Sequence, residues 1–225
     1  MPQPLSSALR EATAAAHKAA ETSTFVDELM SGRSCVGAYA MLTAQLAPIY
    51  QALESAIHQR FAEDPLLARL SDTRLDRYAS LEADLDHLIA TGATGGLSRE
   101  ELPVMPATQD YVEQLAHASD VETIIANHYV RYLGDLSGGQ AIGALVKRHY
   151  SVADAGVSFY RFADIDSPKR YKDGYRARLD ALEVTPGQRE LLLRRAVAAF
   201  AMNQALFADL DRSRDSTHQL VDAGR

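Results

Sequence analysis

The chain has 225 residues, a formal net charge of -7 and a sequence pI near 5.5. That length supports one sizeable hydrophobic core, and the acidic balance excludes a general nucleic-acid binder. Cys35 is the single cysteine, which excludes a disulfide framework and a cysteine-rich metal site.

Apolar residues recur at helical spacing along almost the whole chain, and β-branched alternation is nearly absent. The pattern predicts a first helix from about Pro4 to Met30, with SGRS at 31–34 as the break. A second helix runs to about Phe61 and a third from about Ser71 to Ala90. TGATGGLSREELPVMP at 91–106 reads as a loop. A fourth helix covers about Ala107 to Ala118. A fifth begins near Asp120 and reaches Tyr150, and a sixth covers Ser167 to Leu182. A seventh opens at TPGQRE, with Thr185 as N-cap, Pro186 at the first helical position and Gln188 three residues after the cap. It is expected to end near Leu210, which leaves 1–210 as one all-α domain and 211–225 as a flexible polar tail. The N-terminus lacks the basic-then-apolar order of a secretion signal. No stretch approaches 18 consecutive apolar residues. A cytoplasmic protein without a membrane span is expected, with a monomer as the default.

Within the fifth helix, NHYVRYLGDLSGGQ at 127–140 carries Gly134, Gly138 and Gly139. Each interior glycine costs a helix up to ~1 kcal/mol against alanine. Gly134 and Gly138 are four apart and share a face. With Gly139 they leave a bare strip, usable for close helix packing, a kink, or the approach of a flat ligand to backbone. Asp135 lies four residues after Arg131, so the two can pair on the surface or help to hold ordered water.

Two other features stand out. His17 sits among small residues in ATAAAHKAAE, with Glu21 four residues on to accept a hydrogen bond from its ring. Arg10 shares that face, and Ala14 leaves room beside it. A tightly packed alanine-rich helix with a surface His17–Glu21 pair accounts for the same pattern. DSPKRYKDGYRAR at 166–178 sets Lys169, Arg170, Lys172, Arg176 and Arg178 against Asp166 and Asp173. Lys169, Lys172 and Arg176 share a helix face, either an anion-binding face or a solvated one. Tyr171 and Tyr175 are expected to point into the packing.

HYVRYLGDLSGGQ at 128–140 closely resembles the signature of the biliverdin-producing heme oxygenases. HKAAE at 17–21, FYRF at 159–162, YKDGYRARLDALEVTP at 171–186 and AFAMNQALFADL at 199–210 resemble other parts of that family in order and spacing. The resemblance covers the chain up to about Leu210 and is to a soluble bacterial form.

It implies a multi-helical fold with heme b sandwiched between a proximal and a kinked distal helix. It implies His17 as axial ligand of the iron, with Glu21 as its hydrogen-bond partner. Gly134 and Gly138 would lie over the heme face. Asp135, supported by Arg131, Tyr50 and Asn203, would organise distal water. Arg10, Tyr129, Lys172 and Arg176 match positions that meet the heme propionates, Lys169 less clearly. Some members carry a second basic residue where this chain has Ala14. The implied reaction opens heme with O2 and reducing electrons to biliverdin, Fe2+ and CO, with α cleavage favoured. The electron donor would be an acidic partner, such as a ferredoxin or a flavin or NAD(P)H reductase. A heme carrier or gas sensor that leaves heme intact is the alternative, and a thiaminase-like helical protein without heme is a third. His128 is a weaker ligand candidate, because it lies off the glycine face.

Overall fold

The computed structural model describes residues 3–222, with side chains described through Ser213. Eight α-helices and no strand are found among the described residues. They are α1 (Leu5–Glu21), α2 (Thr24–Ser31), α3 (Val36–Ser55), α4 (Tyr78–Ala90), α5 (Pro106–Ala116), α6 (Val121–Tyr150), α7 (Pro168–Asp180) and α8 (Pro186–Asp222).

The caps follow the sequence closely. The Asp120 side chain accepts from Thr123 N at 2.8 Å and starts α6. Ser167 caps α7. Thr185 and Gln188 exchange hydrogen bonds at the start of α8, at 3.2 and 3.0 Å, so two exposed amides find acceptors. SGRS ends α2 at Gly32, whose φ of 77° suits a residue without Cβ.

Several expected helices start or stop elsewhere. The single helix from Pro4 to Met30 is divided into α1 and α2. The hydroxyls of Thr22 and Ser23 bond back to Lys18 O and Ala20 O, both at 2.9 Å. Ser23 then turns extended before α2 begins. Such hydroxyls offer the backbone an alternative to continuing the helix. The helix expected from Ser71 begins only at Tyr78. The Asp72 carboxylate takes the amide of Arg74 into a short 3-10 turn, and Arg77 is buried, donating to Arg161 O at 2.7 Å. The last helix continues past Leu210 to Asp222. The side chains of the expected flexible tail beyond Ser213, and residues 223–225 altogether, lie outside the described residues.

α8 is the central support. Leu192, Ala196, Ala199, Leu206 and Leu210 are buried along it, and α1, α5 and α6 pack against it. By length and composition, Pro186–Ser213 is the one described stretch apolar enough to cross a membrane. Within it, 33% of the apolar 18-residue span is buried inside the protein. α3 packs on α4 and α5. α1 and α6 both rest on α8, and α7 touches both of them. The chemistry-bearing residues line this frame of α1, α6, α7 and α8, with Tyr50 reaching in from α3.

Candidate functional site

On α1, His17 is about half exposed, with Nδ1 3.5 Å from Glu21 Oε2. The ring stands edge-on to Phe200 of α8 at 5.5 Å. Gln204 of α8 donates to Ala16 O at 2.9 Å and ties down the turn that carries His17. One ring nitrogen is thus turned to Glu21. The other has no hydrogen-bond partner among the described residues and is free for a ligand.

α6 stays helical through its glycines. A β-carbon built on Gly134 would meet nothing within 4 Å, and one on Gly138 would meet only Ile142 Cδ1 at 3.8 Å. Gly139 does not belong to this open strip, contrary to the sequence reading. It is buried, and its β-carbon would come within 3.2 Å of Tyr160 Cδ1. Gly143, one turn on, packs on the same ring at 3.3 Å. Close packing therefore explains Gly139 and not the pair at 134 and 138.

Behind the open glycines, the Tyr50 hydroxyl donates to Asp135 Oδ2. Burial lifts the Asp135 carboxyl to about 6, against the opposing pull of that hydrogen bond and of the Arg131 and Arg77 charges. Tyr50 is itself fully buried, packed edge-on to Tyr132 at 6.0 Å and Phe159 at 5.3 Å. Arg131 does not pair with Asp135 as the i,i+4 spacing suggests; no salt bridge joins them among the described residues. Its guanidinium instead lies over the rings of Tyr111 at 4.8 Å and Tyr50 at 5.4 Å. Arg131 Nε and Nη2 are buried with no hydrogen-bond partner, as is Asn203 Oδ1 on α8. An unpaired buried polar atom costs ~1–3 kcal/mol, so donors and an acceptor left open here suit a site completed by water or ligand.

The basic residues gather at another edge. Tyr129 of α6 is half-buried; burial raises its pKa, against the opposing charges of Arg176 and Arg10. Helices α1, α6 and α7 thus bring three candidate anion-binding groups together. Lys172 Nζ donates to Ser137 Oγ at 3.0 Å, and burial followed by the nearby Arg176 lowers its pKa. Arg176 is paired with Asp173 at 2.9 Å on the exposed face. Lys169 is exposed.

His128 is a packing residue. It is buried, 2.8 Å from Tyr175 OH, and burial pushes its imidazole down to about 3. Sequence reasoning did not find Tyr111, Phe200, Gln204 or Ser137. Each acts through a partner on another element, which no spacing within one helix can reveal. Ser137, Phe200 and Gln204 lay inside stretches already singled out, but nothing in those stretches names the partner.

A sequence model of the heme oxygenase family matches residues 3–209. The chain is 35% identical over 224 residues to heme oxygenase 1 of Rattus norvegicus, covering 97% of this chain and 75% of that protein. It is 34% identical over 209 residues to heme oxygenase 1 of Synechocystis, covering 92% and 85%. The fold superposes with a TM-score of 0.86 on the crystal structure of Synechocystis heme oxygenase-1 in complex with heme, at 32% identity over 99% of both chains. The heme oxygenase of Leptospira interrogans gives a TM-score of 0.83 at 32% identity, over 91% of this chain and 98% of that one.

Proposed function

The chain belongs to the heme oxygenase family, and from that premise we propose how its residues open heme to biliverdin, ferrous iron and carbon monoxide. Heme is the substrate: its iron is the site of oxygen activation and its ring carries the carbon that is attacked.

His17 is proposed to hold the iron through the nitrogen turned away from Glu21. Glu21 accepts from Nδ1 and so fixes tautomer and ring orientation. A neutral histidine gives less electron push than a thiolate, which favours O–O cleavage. Gly134 and Gly138 let backbone lie against the opposite face of the substrate with no side chain in the way. Asp135, held by Tyr50, organises water there. A carboxyl near 6 can pass a proton at neutral pH without being a strong acid. Arg131 Nε and Nη2 and Asn203 Oδ1 complete the polar lining. Arg10, Tyr129, Lys172 and Arg176 take the substrate carboxylates and fix its rotation in the plane, with α cleavage as the expected outcome. The observation that carries this reading is the open Gly134–Gly138 face beside the Tyr50–Asp135 pair and the unpartnered buried atoms of Arg131 and Asn203.

The electron donor is proposed to be an acidic redox protein, a ferredoxin or a reductase domain, docking by charge at the basic edge. A monomer working in the cytoplasm is also proposed.

Reductive turnover tests the reading. Hemin added to the protein with a reductant under air should lose its Soret band as biliverdin appears. A stable Soret band with no bilin would overturn it in favour of a heme carrier or gas sensor. His17→Ala should remove the histidine-ligated spectrum of the hemin complex, and an unchanged spectrum would move the ligand elsewhere.

A further inference from the structure

α7 carries the cations of the basic edge, yet it has little apolar surface to anchor it. Of its 13 residues only Tyr175 and Leu179 are buried. Its C-terminal half is well tied: Tyr175 meets His128, and the Asp180 carboxylate accepts from Ser6 N at 2.7 Å and Ser6 Oγ at 2.9 Å. Its N-terminal half has two polar ties to the rest of the molecule among the described residues. Lys172 donates to Ser137, and the Tyr171 hydroxyl donates to Asp72 Oδ2 at 2.8 Å.

These ties differ in kind. On the proposed function, on which this inference rests, Lys172 leaves Ser137 to meet a substrate carboxylate. Tyr171–Asp72 stays. Asp72 is itself held rigidly: it takes the amide of Arg74 at 3.1 Å, and the Arg74 side chain reaches both its oxygens, the shortest contact being 2.7 Å. The same guanidinium lies over the Tyr171 ring at 5.5 Å. Arg74 keeps Asp72 down at about 2, so the acceptor is ionised throughout the neutral range. Tyr171, Tyr175 and Leu179 form the inward stripe of the helix. Lys172 and Arg176 lie about 100° round from Tyr171 and Tyr175. A roll of α7 about its axis therefore re-aims both cations together.

We propose that the Tyr171–Asp72 hydrogen bond, backed by Arg74, fixes the roll of α7 and through it the in-plane seating of the substrate. Tyr171 and Asp72 are then positioning residues for the regiochemistry of ring opening, without touching the substrate.

The test uses the full chain loaded with hemin, as wild type, Tyr171→Phe and Asp72→Ala. Proton NMR of the cyanide complex reads the seating directly through the heme-methyl resonances, independently of turnover. Product analysis after turnover reads the biliverdin isomers. Both variants should show a second set of methyl resonances and a minor isomer fraction raised by about tenfold, the size of one lost hydrogen bond to a carboxylate. Thr185→Ala, which weakens the cap of α8 and leaves α7 alone, should alter neither readout. Methyl patterns and isomer ratios identical to wild type in both variants would overturn the proposal. Failure of the wild type to make biliverdin would overturn the functional reading instead, and the NMR pattern would still decide the seating.

Discussion

Two faces of α6 use glycine for opposite reasons. Gly139 and Gly143 are spaced one turn apart and press against Tyr160, at 3.2 and 3.3 Å from where a β-carbon would stand. Gly134 and Gly138 are spaced identically, but a β-carbon on Gly134 would face open space and one on Gly138 would touch only Ile142 of the same helix at 3.8 Å. The first pair removes side chains so that a neighbour can come close within the protein. The second removes them where no other element of the protein comes close, and their helix-propensity cost of ~1 kcal/mol each is not offset by packing. A cost left unbalanced by the fold points to something outside the chain, and here the buried, unpartnered atoms of Arg131 and Asn203 support the same conclusion.

The largest expected effect separates the faces by function. Gly134→Leu should leave the fold intact, because its side chain enters open space. It should lower biliverdin formation by about 100-fold, close to 3 kcal/mol on the reaction barrier. The comparison fails if this variant unfolds, or if it turns hemin over normally. Gly143→Leu should do the reverse to stability. Overpacking against Tyr160 costs about 1–3 kcal/mol, read as a lower denaturant midpoint with unchanged slope. A midpoint equal to wild type would mean that Tyr160 moves aside freely and that the second pair is not a packing device.

How much of this was legible in the sequence depends on where each partner lies. The helix starts near Asp120 and Ser167 and the Thr185 cap are local and were readable. So was the shared face of Gly134 and Gly138, because i,i+4 is fixed by helix geometry. The assignment of Gly139 to the same strip went wrong because its partner, Tyr160, sits on a separate short 3-10 turn beyond the end of α6. The Arg131–Asp135 pairing failed for the same reason. Asp135 takes its hydrogen bond from Tyr50, 85 positions away, and Arg131 is drawn to Tyr111 and Tyr50. The break inside the first helix hid in Thr22 and Ser23, two hydroxyl residues of ordinary helix propensity, whose back-bonding ends the helix only once it is formed. The basic edge was half readable: Lys172 and Arg176 were placed on one face, but their meeting with Arg10 and Tyr129 depends on three helices.

A smaller effect distinguishes the open face by its charge. The Asp135 carboxyl is raised from 3.8 to about 6 by burial. Between those values the folded chain keeps a proton that the unfolded chain releases. The stability this contributes is complete below about pH 4 and is lost as pH rises through 6. Asp135→Asn, which still offers Tyr50 an acceptor, should therefore match wild type near pH 4. At pH 8 it should exceed wild type by about 2–3 kcal/mol while forming far less biliverdin. Chemical denaturation at the two pH values measures the difference. Equal gains at both would show that desolvation of the carboxylate is not the cause.

The smallest change is also the sharpest test of why Gly134 is there. Gly134→Ala adds one methyl where nothing lies within 4 Å, in the interior of a helix, where alanine is favoured over glycine by ~1 kcal/mol. Stability should rise by about 0.5–1 kcal/mol. Gly139→Ala carries the same propensity gain, but the tight contact with Tyr160 opposes it, so it should rise less or fall. If both gain equally, propensity alone governs them and the two faces do not differ in packing. If Gly134→Ala gains stability and turns hemin over more slowly, the glycine is kept at the fold's expense, and its reason lies in what the open face must admit.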